Sequence, residues 1–206
     1  MAKDTKVMRF KCTKCGKCCR DPNTFVNLTF LDVKLLSMGL KAGVQDILDI
    51  VGFYTYDDRD YERLIEQLVF KPIQTERGKA FLGLLRTEDG RCIFLRNDDT
   101  CSIYPYRPKI CRTFPFSYAL EEEGGIKSKM DLIYTAKGIE YCPGISPDAP
   151  VVKKRKILKL LDEFLLELNA DIKVVDAWND RSKHRNIART AGNYIKFILN
   201  FAKKLN

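Results

Sequence analysis

Histidine is nearly absent from this chain: His184 is the single copy among 206 residues. Schemes of hydrolysis or acid–base catalysis that run on imidazole therefore have one candidate. It sits in the basic run Arg181-Ser182-Lys183-His184-Arg185, where a surface role is expected. Neither a GxxxxGKS/T phosphate loop nor a GxGxxG fingerprint occurs, and the glycines at 39–43 and 124–125 are too sparse to cradle a phosphate. No apolar run reaches the length of a membrane span, and the N-terminus lacks the apolar stretch of a signal peptide. A cytoplasmic location in a reducing compartment is the expectation. Internal repeats and low-complexity tracts are lacking too.

Eight cysteines stand against this poverty of nitrogen ligands. Four lie in Cys12-Thr13-Lys14-Cys15-Gly16-Lys17-Cys18-Cys19, three (Cys92, Cys101 and Cys111) cluster in mid-chain, and Cys142 follows with Pro143 and Gly144 after it. A thiolate is a soft metal ligand, and C-x2-C spacing is the usual way to bring several to one ion. Where thiols stay reduced, such a set favours metal ligation over disulfides. A C-x2-C loop supplies only part of a coordination sphere, so all eight cysteines are expected to converge as metal ligands. Two closed zinc sites would use all eight. A cubane iron–sulfur cluster takes four thiolates, often with a remote fourth followed by proline, as in Cys142-Pro143. A single site with unused thiols is the third arrangement. Neighbouring side chains tend to diverge, so Cys18 and Cys19 are expected to serve different positions. Spacing does not choose between zinc and iron–sulfur.

The expected fold class is α+β: a small cysteine-cluster domain of short strands and helices over residues 1–146, then a basic helical extension over 151–206. Ser146-Pro147-Asp148-Ala149-Pro150 marks the boundary. Thr29 reads as an N-cap before a helix over Phe30–Met38 ended by Gly39. Further helices are expected over Val44–Val51 and Asp58–Leu68. Val69–Thr75, Ala80–Arg86, Cys92–Leu95 and Ile126–Ala136 read as strands. Pro108 can open a short helix that carries Cys111 in its first turn. In the extension, one apolar face runs from Ile157 to Leu168, another from Ile187 to Ala202, with a short helix at Val174–Trp178 between them. Of the chain's net charge of +9, the segment 151–206 carries +7. A lysine-rich solvated helix face is the favoured reading of that excess.

Several ordered elements resemble one known family. They are Phe10-Lys11-Cys12 through Cys19, Gly90-Arg91-Cys92-Ile93-Phe94-Leu95, Cys101-Ser102-Ile103-Tyr104, and Arg107-Pro108-Lys109-Ile110-Cys111-Arg112-Thr113-Phe114-Pro115. With Leu28-Thr29-Phe30-Leu31-Asp32, these are similar to the CxxCxxCC, GxCxFL, CxIY and RPxxCRxFP elements of the YkgJ-like zinc- or iron-chelating domains. The resemblance covers residues 9–146. It extends to bacterial flagellin lysine-N-methylases, which share the cysteine cluster, and this implies the alternative of a protein lysine methylase using S-adenosylmethionine.

Three functions compete. The favoured one is a metal-binding protein with a cysteine-ligated zinc or iron–sulfur centre in a structural or redox role, acting with a protein partner. The methylase follows from resemblance alone, and no acid–base or nucleophile–base pair names a catalytic residue. A nucleic-acid-binding zinc module is disfavoured, because the basic charge lies outside the cysteine domain and aromatic–basic interleaving is missing. Arg107 and Arg112 flank Cys111 and admit two readings: partners for a thiolate-rich centre or an anion, or braces of the loop. Tyr104, Tyr106, Phe114 and Phe116 read as packing for a small core.

Overall fold

A computed structural model describes residues 7–55, 70–123, 126–184 and 187–203. The expected helix over Asp58–Leu68 lies outside the described residues. The fold is α+β, built of short antiparallel strands and helices with one long helix near the C-terminus.

Helix α1 (Lys17–Arg20) belongs to the cysteine loop, and the chain then enters α2 (Phe30–Leu40) through Thr29. The Thr29 hydroxyl accepts from the Asp32 N–H at 3.1 Å, and the Asp32 carboxylate accepts from the Thr29 N–H at 3.1 Å, a reciprocal capping box. Gly39 does not end this helix as expected. The chain leaves α2 through Lys41 in the left-handed region (φ 54). Gly39 serves close packing instead, because a Cβ there would lie 2.4 Å from the Tyr106 ring.

Helix α3 is Val44–Leu48, shorter than expected, because Val51 already begins strand β1 (Val51–Thr55). β1 pairs antiparallel with β3 (Gly78–Leu84), placing Val51 opposite Leu84 and Thr55 opposite Ala80. β2 (Ile73–Thr75) pairs on the other edge of β3, with Ile73 opposite Ala80. Residues Ala80 to Leu84 are buried on both faces of the sheet. Next come α4 (Lys109–Thr113), the hairpin β4 (Phe116–Glu123) and β5 (Ile126–Tyr134), and α5 (Ala136–Tyr141). The expected strand at Cys92–Leu95 is not one: only Cys92 and Leu95 form isolated bridges, to Arg86 and Cys101. The loop turns back on itself between them.

The three expected C-terminal helical segments are two helices. α6 runs without a break over Lys154–His184, roughly 46 Å at 1.5 Å per residue, and α7 covers Ala191–Lys203. α6 is continuous because each stretch of it finds a different apolar partner. Ile157 and Leu161 pack with Met8 and Phe116 against the hairpin. Phe164, Leu165 and Leu168 meet Phe70 and Phe81 on one face of the sheet. Val174, Val175 and Trp178 join Leu28, Phe30, Leu82, Phe94 and Ile103 together with Tyr194, Ile195 and Ile198 of α7. The C-terminal helices and the cysteine-bearing segments thus share the main core. Trp178 and Asn179 also complete the sheet edge. The Trp178 Nε1 donates to the Gln74 carbonyl at 3.0 Å, and the Asn179 Oδ1 accepts from the Gln74 N–H at 2.8 Å. Among the described residues no helix is long and apolar enough to cross a membrane.

At the crossing of α2 and α6, the Asp171 carboxylate, 4% exposed, accepts from the Phe30 N–H at 2.8 Å. Burial is the main cause that raises its pKa to about 7, and burial likewise raises Asp32 to about 6. Both carboxyls hold their protons more tightly in the folded state than in the unfolded chain. Their contribution to stability is therefore fully present below about pH 4 and is lost as pH rises through 6–7. The Asp171→Asn variant keeps an oxygen for the Phe30 N–H and removes the titration. Thermal melts of reduced, metal-free protein should show it about 1–2 kcal/mol more stable than the parent at pH 8, with the difference shrinking toward pH 5. A constant difference across that range would refute the assignment.

Candidate metal centre

The cysteine loop is shaped by two left-handed residues, Lys14 (φ 55) and Gly16 (φ 67). Gly16 stands at the start of α1, where its carbonyl accepts from the Cys19 N–H at 2.9 Å. A Cβ at Gly16 would lie 2.9 Å from the Leu95 side chain and 3.0 Å from the Asp99 carbonyl. Glycine therefore allows both the turn and the approach of the mid-chain loop that carries Cys92 and Cys101.

That approach is pinned by several bonds. The Cys92 N–H donates to the Cys19 carbonyl at 2.8 Å. Arg20 pairs with Asp99. Arg86 donates from its Nε to the Gly90 carbonyl at 2.8 Å and from Nη1 to the Thr24 carbonyl at 2.6 Å, tying the exit of the first loop to the turn of the second. Within the second loop, the Asp98 carboxylate accepts from the Thr100 N–H at 3.0 Å, and the Ser102 N–H returns to the Phe94 carbonyl at 2.9 Å. On the remaining side, the Lys11 N–H donates to the Gly144 carbonyl at 3.0 Å, bringing the segment after Cys142 beside the start of the cysteine loop.

Cys111 arrives on α4, and Asp32 determines where α4 starts. Its Oδ1 accepts from the Lys109 N–H at 2.8 Å, while its Oδ2 serves the α2 cap. The Lys109 ammonium is held against Glu167 of α6 at 3.0 Å. Residue Asp32 was legible in sequence only as part of a motif at the entry of a helix. Its reach to a residue 77 positions away has no local signal.

All eight cysteines are free thiols. The Cys18 and Cys19 sulfurs lie 4.0 Å apart, so these neighbours do not diverge as expected. The tight turn from Gly16 folds both toward the second loop. The neighbouring thiols of Cys18 and Cys92 raise Cys19 far above the ordinary thiol range. The neighbouring Cys19 thiol is the main cause that lowers Cys18 and Cys92, each to about 7. Cys111 is raised first by burial, then by the neighbouring charges of Cys18 and Cys92. Burial also raises Cys101, which feels Cys92 and Cys18, and Cys142, which feels Cys15 and Cys18. Seven cysteines thus each feel or exert the electrostatic influence of at least one other. Cys12 is exposed at the mouth of the loop. Among the described residues, no three Cys, His, Asp or Glu side chains are already arranged around a single ion position.

Arg107 lies among these thiols. Its guanidinium stacks on the Tyr104 ring at 3.8 Å from the centroid, and the Lys14 ammonium is 5.0 Å from the same centroid. The Arg107 Nε is buried and has no acceptor. Tyr104 is therefore a platform for cations rather than plain core packing. Arg112, in contrast, is exposed.

Loops of this composition, fastened to an α+β frame and to each other by the bond between Cys92 and Cys19, define a cysteine-cluster domain. The chain belongs to the CxxCxxCC family, described as "Putative zinc- or iron-chelating domain", whose sequence profile matches residues 11–142. It is similar to an uncharacterized protein of Methanocaldococcus jannaschii, with 27% identity over 137 residues. That match covers 66% of this chain and 58% of the relative, so the chain spans less than two thirds of that protein's length. No solved structure matches the chain.

The thiols should differ in reactivity in a definite order. Cys18 is exposed and acidified, so it should be alkylated by iodoacetamide at pH 7 well before Cys111, which burial keeps protonated. Mass spectrometry of the reduced, metal-free protein at short labelling times would read this order. Equal labelling of the two would contradict the geometry.

Proposed function

We propose that the protein binds zinc or iron through thiolates drawn from Cys15, Cys18, Cys19, Cys92, Cys101, Cys111 and Cys142, with Cys12 at the rim, and that the centre has a structural or redox role. The observation that carries this reading is the junction of the two loops, where the Cys19 carbonyl holds the Cys92 N–H at 2.8 Å and the Cys18 and Cys19 sulfurs lie 4.0 Å apart. Residues far apart in sequence are brought together there by backbone bonds, not by disulfides.

The donor set fits the group. Thiolates suit zinc and iron–sulfur chemistry and are poor ligands for magnesium or calcium. Two thiolates on one tetrahedral zinc, each at 2.3 Å, are about 3.8 Å apart. The 4.0 Å between the Cys18 and Cys19 sulfurs is close to that value. The pair therefore favours a single ion over the division of Cys18 and Cys19 between two. Bound zinc would supply a redox-inert staple or a Lewis acid, and iron a one-electron couple. The chain's own part is to deliver thiolates on segments fastened by backbone bonds. Since the loops close around the ion, binding free energy becomes local folding free energy.

Metal analysis after anaerobic purification tests this directly. Stoichiometric zinc, or iron with a brown colour and visible absorption, is the expected result. Removing the metal should lower the melting temperature by about 10 °C or more, given the several kcal/mol that a cysteine-held metal contributes. Cys19→Ser and Cys92→Ser should each lose metal, while Cys12→Ser should retain most of it. Reduced protein that takes up neither zinc nor ferrous iron would end the proposal.

A further inference from the structure

Arg107 is a cation without a carboxylate. Among the described residues no Asp or Glu pairs with it, and its buried Nε–H finds no acceptor. Buried donors are nearly always paired in folded proteins, so an orphan of this kind asks what its acceptor is. The stacking on Tyr104 does not answer that question. It occupies the face of the guanidinium, whereas all five N–H groups point outward in its plane. The backbone that carries the side chain is held in place. Arg107 lies between the short 3-10 helix at Tyr104–Tyr106 and Pro108, which is fully buried, and the next residue is tied to Asp32. The groups that feel its charge are sulfurs, those of Cys18, Cys101 and Cys111.

Metal binding would supply an acceptor at this place. Four thiolates on a divalent ion leave a net charge of −2, and partly buried negative charge requires a fixed cation or hydrogen-bond donors nearby. We infer that Arg107 is the charge-compensating donor of the centre, its Nε–H bonding to a thiolate sulfur of Cys18, Cys101 or Cys111 when the metal is held. This rests on the metal-binding reading above. Arg107 acts through the ligands as a positioning residue and is not a ligand itself. Lysine would replace the charge but not the stacked planar fork.

Cobalt(II) and zinc titrations of reduced parent protein, Arg107→Met, Arg107→Lys and Arg112→Met separate the possibilities. Arg107→Met should bind zinc about 10–100-fold more weakly in competition with a chromophoric chelator. At saturating cobalt its thiolate-to-metal charge-transfer band should move to lower energy, because a sulfur that loses a hydrogen bond gives up its electrons more readily. Arg107→Lys should recover part of the affinity and show a smaller band shift in the same direction, and Arg112→Met should match the parent. A purely structural role for Arg107 would lower the melting temperature of metal-free protein but leave the band of the saturated protein in place, and that result overturns the inference. Zinc affinity of Arg107→Met within about twofold of the parent also overturns it. Should Arg107→Met fail to fold, an unmoved band and unchanged affinity in Arg107→Lys decide against it. Parent protein that binds neither metal would overturn the metal-binding reading itself, a failure distinct from any of these.

Discussion

One buried carboxylate holds the frame on which the cysteines are arranged. Asp32 accepts from the Thr29 N–H with one oxygen and the Lys109 N–H with the other, joining the start of α2 to the start of α4. Both backbone donors would otherwise be orphaned, since first-turn N–H groups have no partner within their own helix. Asp171 repeats the device one layer deeper by accepting from Phe30. The folded state retains these carboxyls in spite of the burial that raises their pKa values, because the helix starts and the α6 interface lose their bonds without them. Cys111 rides on the second of the joined helices, two residues past Lys109. Its position relative to Cys19 and Cys92 is thus set by a residue that never touches a sulfur.

The sulfurs are treated differently from this frame. Apart from Cys111 on α4, they sit on the cysteine loop with its one-turn helix α1, on the mid-chain loop, and at the end of α5, segments joined by backbone bonds. The clamp of Arg20 with Asp99 at the rim is exposed and contributes little. What holds the loops is the insertion of Cys92, Phe94 and Ile103 into the main core.

Where the sequence could be read and where it could not divides along the same line. The cysteine motifs, the Thr29 cap, the turn at Gly16 and the short helix after Pro108 carry local signals, and each stands in the structure. The resemblance placed the chain in its family from the order of those motifs. Strand β1 escaped reading because Val51–Thr55 continues an apolar stretch from α3, and only pairing with β3 makes it extended. The length of α6 escaped because Asp171 and Lys173 interrupt the apolar pattern, and nothing local says that Asp171 meets the Phe30 N–H. The bond from the Cys92 N–H to the Cys19 carbonyl could not be foreseen from spacing, since it depends on a loop arriving from more than 70 residues away.

The C-terminal helices carry no cysteine, yet the placement of the cysteine-bearing segments depends on them. Val174, Val175, Trp178, Tyr194, Ile195 and Ile198 line the main core opposite Leu28, Phe30, Phe94 and Ile103, so the same apolar contact seats both α2 and the mid-chain loop. Lys154, Arg155, Lys156, Lys159, Lys173 and Lys196 point away from that contact into solvent. The basic excess of the segment therefore sits on the outer faces of helices whose inner faces position the thiols. A substitution at Trp178 or Tyr194 should reach the cysteines through the core. A substitution of an exposed lysine on α6 has no such path, and in this the helices differ from a mere extension of the chain.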